Sequence, residues 1–67
     1  MIDLKHMKWA RKRRGLTQGQ VAYKLGLTNE TICRYETGRL TPSILVLCKL
    51  SELYGIHLDS LIDWDAI

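Results

Sequence analysis

Four glycines divide the chain into segments of helix length, and this spacing limits what the chain can fold into. Gly15, Gly26, Gly38 and Gly55 each follow a run in which apolar residues recur at helical spacing. Glycine ends helices readily because it adopts a positive φ without strain. The single proline is Pro42, and no Asn-Gly turn with alternating flanks predicts a hairpin. The sequence therefore predicts an all-α fold.

Polar residues at helix starts, together with the glycines, predict five short helices. Ser and Thr side chains accept hydrogen bonds from the first backbone N–H groups of a helix, which favours starts at Thr17, Thr28 and Ser43. The predicted helices span, in order, about 3–14, 17–25, 28–37, 43–54 and 58 to between 62 and 64. With 67 residues, the chain can hold one domain (residues 1–67) with a small core, and its local topology favours rapid folding.

Charge is distributed unevenly along the chain. Residues 1–40 carry nine of the ten Lys and Arg against three acids, a net charge of +6. Residues 41–67 carry one Lys against four acids, a net charge of −3. A basic end opposed to an acidic end favours a molecule that lays one face on a polyanion such as DNA, although an ordinary uneven surface also accounts for it.

Composition disfavours several classes of protein. No apolar run approaches the ~20 residues of a membrane span or resembles a signal peptide, so a cytoplasmic protein without a membrane partner is expected. Cys33 and Cys48 form no close metal-binding or redox motif with each other or with the two histidines, so no metal is expected. No paired acids, Ser/His or Cys/His arrangement or phosphate loop indicates an enzyme, a cofactor or a small-molecule ligand.

The most informative segment is QGQVAYKLGLTNETICRYET, residues 18–37. It predicts two short helices joined by three or four residues. Ala22 is small enough for the second helix to cross closely over the first, and Gly26 permits the bend between them. Leu27 is predicted to fill the corner, and Ile32 and Tyr35 to hold the second helix against the core. This is the helix-turn-helix arrangement, in which the second helix enters the major groove of DNA.

The chain resembles the lambda-repressor-like (Cro/Xre-type) helix-turn-helix family. The resemblance covers about 50 of the 67 residues and rests on the GLTQ start, the LGLT bend, the ICRYETGR end and the closing LYGIHLDSLI. It implies a compact five-helix DNA-binding domain in which helices 2 and 3 form the helix-turn-helix motif. It also implies that the partner is double-stranded DNA.

The outer face of the third helix is predicted to contact base edges. Asn29, Glu30 and Thr31 lie at its N-terminus, and Arg34 lies one turn further along. Asn can bind adenine, Arg can bind guanine, and Glu can accept a hydrogen bond from the cytosine amino group. The resemblance implies that the positions of Asn29, Glu30 and Arg34 are the main base readers. The alternative is an i,i+4 ion pair between Glu30 and Arg34 on a solvated face, and the two roles are compatible.

Phosphate contacts are predicted near the ends of the two helices. Gln18 lies at the start of helix 2, where exposed N–H groups favour a phosphate, and the resemblance implies that it binds the DNA backbone. The alternative is that Gln18 only supports the cap at Thr17. Further candidates for phosphate contact are Thr17, Thr28, Thr37 and Arg39. For Thr28, capping alone is a sufficient explanation.

The resemblance gives Arg11 and Glu36 a structural role. It implies a partly buried ion pair that ties helix 1 to the recognition helix. Removing one partner would leave an uncompensated charge inside the protein, which is strongly destabilising. Arg11 is therefore not counted among the DNA contacts.

Helix 4 carries more apolar residues than one buried face needs. One predicted stripe faces the core and consists of Ile44, Leu47, Cys48, Ser51 and Tyr54. The other apolar residues of helix 4, together with two near residue 67, predict a homodimer interface. The predicted interface consists of Val46, Leu50, Leu53, Trp64 and Ile67. Such a dimer would present two recognition helices to a palindromic operator with half-sites about one DNA turn apart. The alternative is that Trp64 and Ile67 fold back over helix 4.

The predicted function is that of a sequence-specific double-stranded DNA-binding transcriptional regulator. Nothing in the sequence indicates a ligand-sensing segment. The protein is therefore predicted to be a repressor that acts by occupying its operator. Two alternatives remain open. One is an antitoxin-type DNA-binding protein whose apolar patch binds a partner protein, and the other is a protein–protein interaction module without a DNA role.

Overall fold

The computed structural model describes residues 1–66 and contains four α-helices followed by two 3₁₀ helices. The α-helices are α1 (Leu4–Arg13), α2 (Gln18–Leu25), α3 (Asn29–Thr37) and α4 (Ile44–Tyr54), and the 3₁₀ helices span Leu58–Leu61 and Trp64–Ala66. The predicted all-α class is confirmed for these residues. The count of five is not, because the predicted fifth helix is a single short 3₁₀ helix. Ile67 lies outside the described residues.

The two ends of the described chain are joined by a short antiparallel bridge that the sequence did not predict. Ile2 pairs with Ile62. Asp3 N donates to Leu61 O at 2.8 Å, and Asp63 N donates to Met1 O at 2.7 Å. Ile62 has an extended backbone with ψ 130°, so the chain leaves helical geometry at this residue. The bridge is therefore the physical reason that the predicted fifth helix stops after one turn.

Helix boundaries follow the capping signals of the sequence. The side chains of Thr17, Thr28 and Ser43 each accept a hydrogen bond from the backbone N–H three residues further on. Gly26 ends α2 with φ 69°, and Gly38 ends α3 with φ 78°, a left-handed conformation that other residues adopt only with strain. The predicted starts and ends of α2, α3 and α4 are thus confirmed.

The core lies where all four α-helices meet the first 3₁₀ helix. Ten apolar side chains are buried there: Met7, Ala10, Val21, Ala22, Ile32, Tyr35, Leu47, Leu50, Tyr54 and Leu61. The predicted inward residues of the helix-turn-helix segment are among them, and Leu25 and Leu27 pack against the core while half-buried. Since α2 and α3 bury one face each, their opposite faces are left exposed.

Helix α4 buries three residues of the predicted inward stripe, Leu47, Ser51 and Tyr54, but it is rotated enough to bury Leu50 as well. Its buried residues are Leu47, Leu50, Ser51 and Tyr54, which have the i, i+3, i+4, i+7 spacing of a single helical stripe. Leu50 is only 1% exposed, so it belongs to the core, and its assignment to the dimer interface is wrong. Ile44, predicted to face the core, is 66% exposed in the first turn. Trp64 is 63% exposed, which disfavours the alternative in which it folds back over α4.

Candidate nucleic-acid interface

The first turns of α2 and α3 lie side by side on one surface of the molecule. Leu27 N donates to Ala22 O at 2.8 Å and closes the turn between the helices. A Cβ placed on Gly19 would lie 3.9 Å from Thr17 Oγ1 and 4.0 Å from Asn29 Oδ1. The side chains at both helix starts therefore share a small area. This brings the predicted phosphate site at the start of α2 next to the predicted base reader at the start of α3.

A buried ion pair fixes α3 against α1. Arg11 Nε donates to Glu36 Oε2 at 2.6 Å, and Arg11 Nη2 donates to Glu36 Oε1 at 3.1 Å. The two side chains are 8% and 3% exposed. Arg11 Nη1 also donates to Leu16 O at 2.8 Å, which ties the α1–α2 connection to the pair. With this geometry, the guanidinium and the carboxylate satisfy one another in the interior, as a buried pair requires.

Tyr54 of α4 lies close enough to this ion pair for its ionisation to be affected. The pKa of Tyr54 is raised to about 12, mainly by burial; the negative charge of Glu36 also raises this pKa, and the positive charge of Arg11 lowers it. Tyr54 is fully buried, and within residues 1–66 its hydroxyl has no hydrogen-bond partner. The phenol is therefore neutral in the folded protein until the pH is strongly alkaline.

Gln18 is positioned by Glu36 and not by the cap at Thr17. Gln18 Nε2 donates to Glu36 Oε1 at 3.1 Å. The cap is completed by Gln20, which accepts from Thr17 N at 2.8 Å and donates its own N–H to Thr17 Oγ1 at 3.1 Å. The alternative role for Gln18 is therefore wrong, and the T-x-x-Q spacing was the signal for the true capping residue. Because an amide carries two N–H groups, Gln18 can keep its bond to Glu36 and still bind a phosphate.

The two charged residues predicted to read bases are paired with each other. Arg34 Nη2 donates to Glu30 Oε1 at 2.6 Å, and the side chains are 54% and 71% exposed. The i,i+4 ion pair that the sequence left as an alternative is thus present. An exposed pair of this kind contributes at most about 1 kcal/mol, so exchanging it for contacts with a base costs little. Glu30 also limits the directions in which the guanidinium can point.

Hydroxyl groups on α3 are satisfied within the protein. Thr28 Oγ1 and Thr31 Oγ1 lie 2.8 Å apart, and Thr28 Oγ1 also accepts from Thr31 N at 3.2 Å. Thr37 Oγ1 lies 3.0 Å from Cys33 O and 3.3 Å from Arg34 O, and it donates to these carbonyls of its own helix. Thr31 is half-buried, whereas Asn29 is exposed at the helix start. Arg39 is exposed just beyond α3, and its backbone N–H donates to Arg34 O at 2.9 Å.

Cys33 lies on the same exposed face and was not among the predicted contacts. It is an exposed free cysteine one helical turn beyond Asn29 and one turn before Thr37. Residues spaced by four share a helix face, and this spacing in the sequence was the signal that could have identified it. Within the described residues, the outer face of α3 therefore presents Asn29, Glu30, Cys33, Arg34 and Thr37.

Positive charge is concentrated on the solvent side of α1. Lys5, Lys8, Lys12, Arg13 and Arg14 are all exposed. Trp9 is 51% exposed on this side, its ring centroid lies 5.1 Å from that of His6, and the Arg13 guanidinium lies 5.2 Å from the centroid. Trp9 is therefore not a core residue. The cations supply a positive field that attracts a polyanion without reading its sequence.

The part of the chain that the structure describes gives two further observations on ligands and membranes. Residues 1–66 include no helix with the length and hydropathy needed to cross a bilayer. Across the same residues, His, Cys, Asp and Glu side chains do not gather in threes that could hold a metal ion.

Comparison with known proteins gives consistent matches. The family model described as helix-turn-helix matches residues 7–61. The chain is 36% identical over 63 residues to the HTH-type transcriptional regulator ImmR of Bacillus subtilis, covering 94% of this chain and 50% of that protein. It is 35% identical over 54 residues to a putative HTH-type transcriptional regulatory protein of Pyrobaculum aerophilum, covering 81% of this chain and 22% of that protein. It is 31% identical over 55 residues to an uncharacterized HTH-type transcriptional regulator of Methanocaldococcus jannaschii, covering 82% of this chain and 83% of that protein. The chain thus spans half of the first relative and about a fifth of the second.

Proposed function

This chain belongs to the Cro/Xre-type helix-turn-helix family, and from that premise we propose that it is a sequence-specific double-stranded DNA-binding transcriptional regulator. We propose further that it acts in the cytoplasm as a repressor by occupying its operator. The names of the relatives, which describe transcriptional regulators, support the first part. Repression requires one further assumption, that the protein bound at its operator excludes other proteins from the same DNA.

One observation carries the proposal. Helix α3 buries Ile32, Tyr35 and Glu36 and leaves a face of polar and charged side chains exposed. That face is held in a fixed orientation because Glu36 is bound to Arg11 on α1. A rigid helix with exposed hydrogen-bonding side chains at its N-terminal end is what major-groove recognition requires.

The proposed division of labour separates sequence reading from positioning. Asn29, Glu30 and Arg34 contact base edges. Gln18, held by Glu36, contacts a phosphate and fixes the register of the protein on the DNA. The exposed side chains of Thr17 and Arg39 flank the same surface and are further candidates for the backbone. Thr28 and Thr31 contribute mainly through the conformation of α3, because their hydroxyls are bound within the protein. The hydroxyl of Thr37 is bound to its own helix as well, which disfavours its assignment as a phosphate contact.

We also propose that the protein binds a palindromic operator as a homodimer. Apolar side chains remain exposed at the start of α4 and near the chain end: Ile44 is 66% exposed, Leu45 63% and Trp64 63%. Val46 and Leu53, which also lie on α4, are half-buried and remain candidates for the interface. Exposed large apolar residues of this kind favour a protein contact. A different protein on this surface, as in an antitoxin, is the second candidate.

The experiment that tests DNA binding is selection from a random duplex library at about 0.15 M salt, followed by sequencing of the bound pool. A short inverted repeat would support both sequence-specific binding and the dimer. The matched control is a variant with Asn29→Ala, Glu30→Ala and Arg34→Ala, which alters only exposed residues and should fold. Enrichment of no motif by the wild-type chain would overturn the proposal.

Repression is tested separately, by transcription in vitro from a promoter. The selected site is placed either across the promoter or well upstream of it. A repressor that acts by occupancy reduces transcription only when its site overlaps the promoter. Increased transcription from the upstream site would show activation and would overturn the repressor assignment, while leaving DNA binding intact.

A further inference from the structure

The exposed face of α3 consists of two rows of side chains with different chemistry. Glu30 and Arg34 form a charged row, joined by a hydrogen bond of 2.6 Å. Asn29, Cys33 and Thr37 form the second row, because residues four apart lie one above another on a helix. Both rows lie on the exposed face of α3, so each can meet a different set of base pairs when that face contacts the groove in the proposed function.

The second row is apolar beyond Asn29. The hydroxyl of Thr37 is turned back towards its own helix, 3.0 Å from Cys33 O and 3.3 Å from Arg34 O. With the hydroxyl in this position, the methyl group of Thr37 is the part of the side chain left to meet a ligand. Cys33 is exposed and not in a disulfide, and a free cysteine packs as a small hydrophobic group. Two small apolar groups therefore follow one amide along the row.

We infer that this row reads A·T base pairs, with Asn29 binding adenine and with Cys33 and Thr37 packing against thymine 5-methyl groups. Thymine is the one standard base that presents a methyl group in the major groove, and apolar side chains recognise it by contact. Asn pairs with the N6 and N7 edge of adenine. The charged row suits G·C pairs instead, because Arg binds guanine and Glu accepts from cytosine. The inference rests on the proposed function and adds the class of base that each row reads.

A polar reading of the second row is less consistent with the hydrogen bonds. For Thr37 to donate to a base or phosphate, its hydroxyl would have to leave both carbonyl oxygens. The thiol of Cys33 is only a weak donor and a weak acceptor, so it gives little discrimination between base edges. Contact with a methyl group uses both side chains in the orientation that the structure shows.

The test replaces each thymine of the selected operator in turn by deoxyuridine, which removes only the 5-methyl group. Binding of the full chain is measured under reducing conditions, so that the thiols stay reduced. We expect at least one thymine in each half-site at which the replacement weakens binding by about fourfold, as for the loss of one buried methyl group. Thymines outside the half-sites should tolerate the replacement.

Two variants, Cys33→Ser and Thr37→Ser, assign the effect to a residue. Cys33→Ser replaces the thiol by a hydroxyl of similar shape, and we expect it to bind the thymine and deoxyuridine operators equally at one position. Its preference for guanine at the Arg34 position should be retained. Cys48→Ser is the matched control, because Cys48 lies on α4 and should leave the pattern of sensitive thymines unchanged.

The outcomes separate the inference from the proposed function. If the protein selects a motif but no thymine in it is sensitive, or the half-site contains no thymine, the inference is overturned and the proposed function stands. The inference is also overturned if replacing thymine by deoxyuridine weakens binding equally in the wild type, in Cys33→Ser and in Thr37→Ser. Another residue would then read the methyl group. If no duplex is preferred at all, the proposed function fails first.

Discussion

At the scale of single residues, Arg34 and Gln18 occupy the same proposed interface but contact different parts of the DNA. Arg34 is exposed and forms an exposed ion pair with Glu30, so it can turn to a base at little cost. Gln18 is half-buried and bound to Glu36, so its amide has a fixed place at the edge of the interface. The first should govern sequence preference and the second overall affinity.

Arg34→Ala is expected to relax preference at one base pair of each half-site, with a loss of about 1–3 kcal/mol on the preferred sequence. Gln18→Ala is expected to weaken all duplexes by a similar factor. Because glutamine is uncharged, it should also leave the salt dependence of binding unchanged. The measurement is affinity for the operator and for every single-base-pair substitution of it. An equal loss on every sequence for Arg34→Ala, or a changed consensus for Gln18→Ala, would contradict these roles.

Tyr54→Phe is expected to leave stability unchanged or raise it by about 1 kcal/mol at neutral pH, because it removes a buried hydroxyl without a partner among the described residues. The pKa of Tyr54 is raised from 10.0 to about 12 in the folded protein. The wild type therefore loses stability as the pH rises from 10 towards 12, since unfolding releases a proton there. The variant should lack this part of the alkaline loss. Urea unfolding at pH 7 and pH 11 measures both effects, and a destabilised variant at pH 7 would show that the hydroxyl has a partner.

At the scale of helices, the orientation of α3 depends on one carboxylate. Glu36 binds Arg11 on α1 and Gln18 on α2, and its charge reaches Tyr54 on α4. The recognition helix is therefore held through charge and hydrogen bonding as well as through the apolar contacts of Ile32 and Tyr35. Loss of Glu36 would remove the bonds of α3 to α1 and to α2 together.

Glu36→Ala is expected to destabilise the fold by roughly 3–5 kcal/mol, because Arg11 remains buried without a counter-charge. Glu30→Ala is the matched control. It removes the other ion pair of α3, which is exposed, and should cost no more than about 0.5 kcal/mol. Urea unfolding monitored by circular dichroism compares the two variants. Equal effects would mean that burial of the Arg11–Glu36 pair does not determine its contribution.

The sequence predicts the elements whose ends are set locally. The caps at Thr17, Thr28 and Ser43 and the left-handed glycines act within one helical turn, so the bounds of α2, α3 and α4 follow from the sequence. The rotation of α4 does not, because it has apolar residues on several sides and only tertiary packing decides that Leu50 is buried and Ile44 exposed. The bond between Gln18 and Glu36 and the apolar contribution of Thr37 also depend on side-chain orientations that residue spacing does not specify.

At the scale of the whole molecule, the exposed apolar side chains on α4 predict self-association. A double variant, Ile44→Glu with Leu45→Glu, should be monomeric, whereas the wild type should have twice the mass of one chain. Tyr23→Glu is a suitable control, since Tyr23 is a large side chain, 88% exposed, that lies on α2 and not on α4. Sedimentation equilibrium at micromolar concentrations distinguishes these species. A monomeric wild type would overturn the homodimer, and the apolar surface would then favour a different protein partner.

The bridge between Ile2 and Ile62 brings residues 1–3 alongside residues 61–63. Among the described residues, the backbone path from residue 1 to residue 63 is therefore close to a closed ring. Circular permutation is tolerated best where the two ends already meet and the new break falls in an exposed turn. Covalent closure at the bridge, with a new start at Thr41, leaves intact the bonds from Arg39 N and Leu40 N to Arg34 O at the end of the recognition helix.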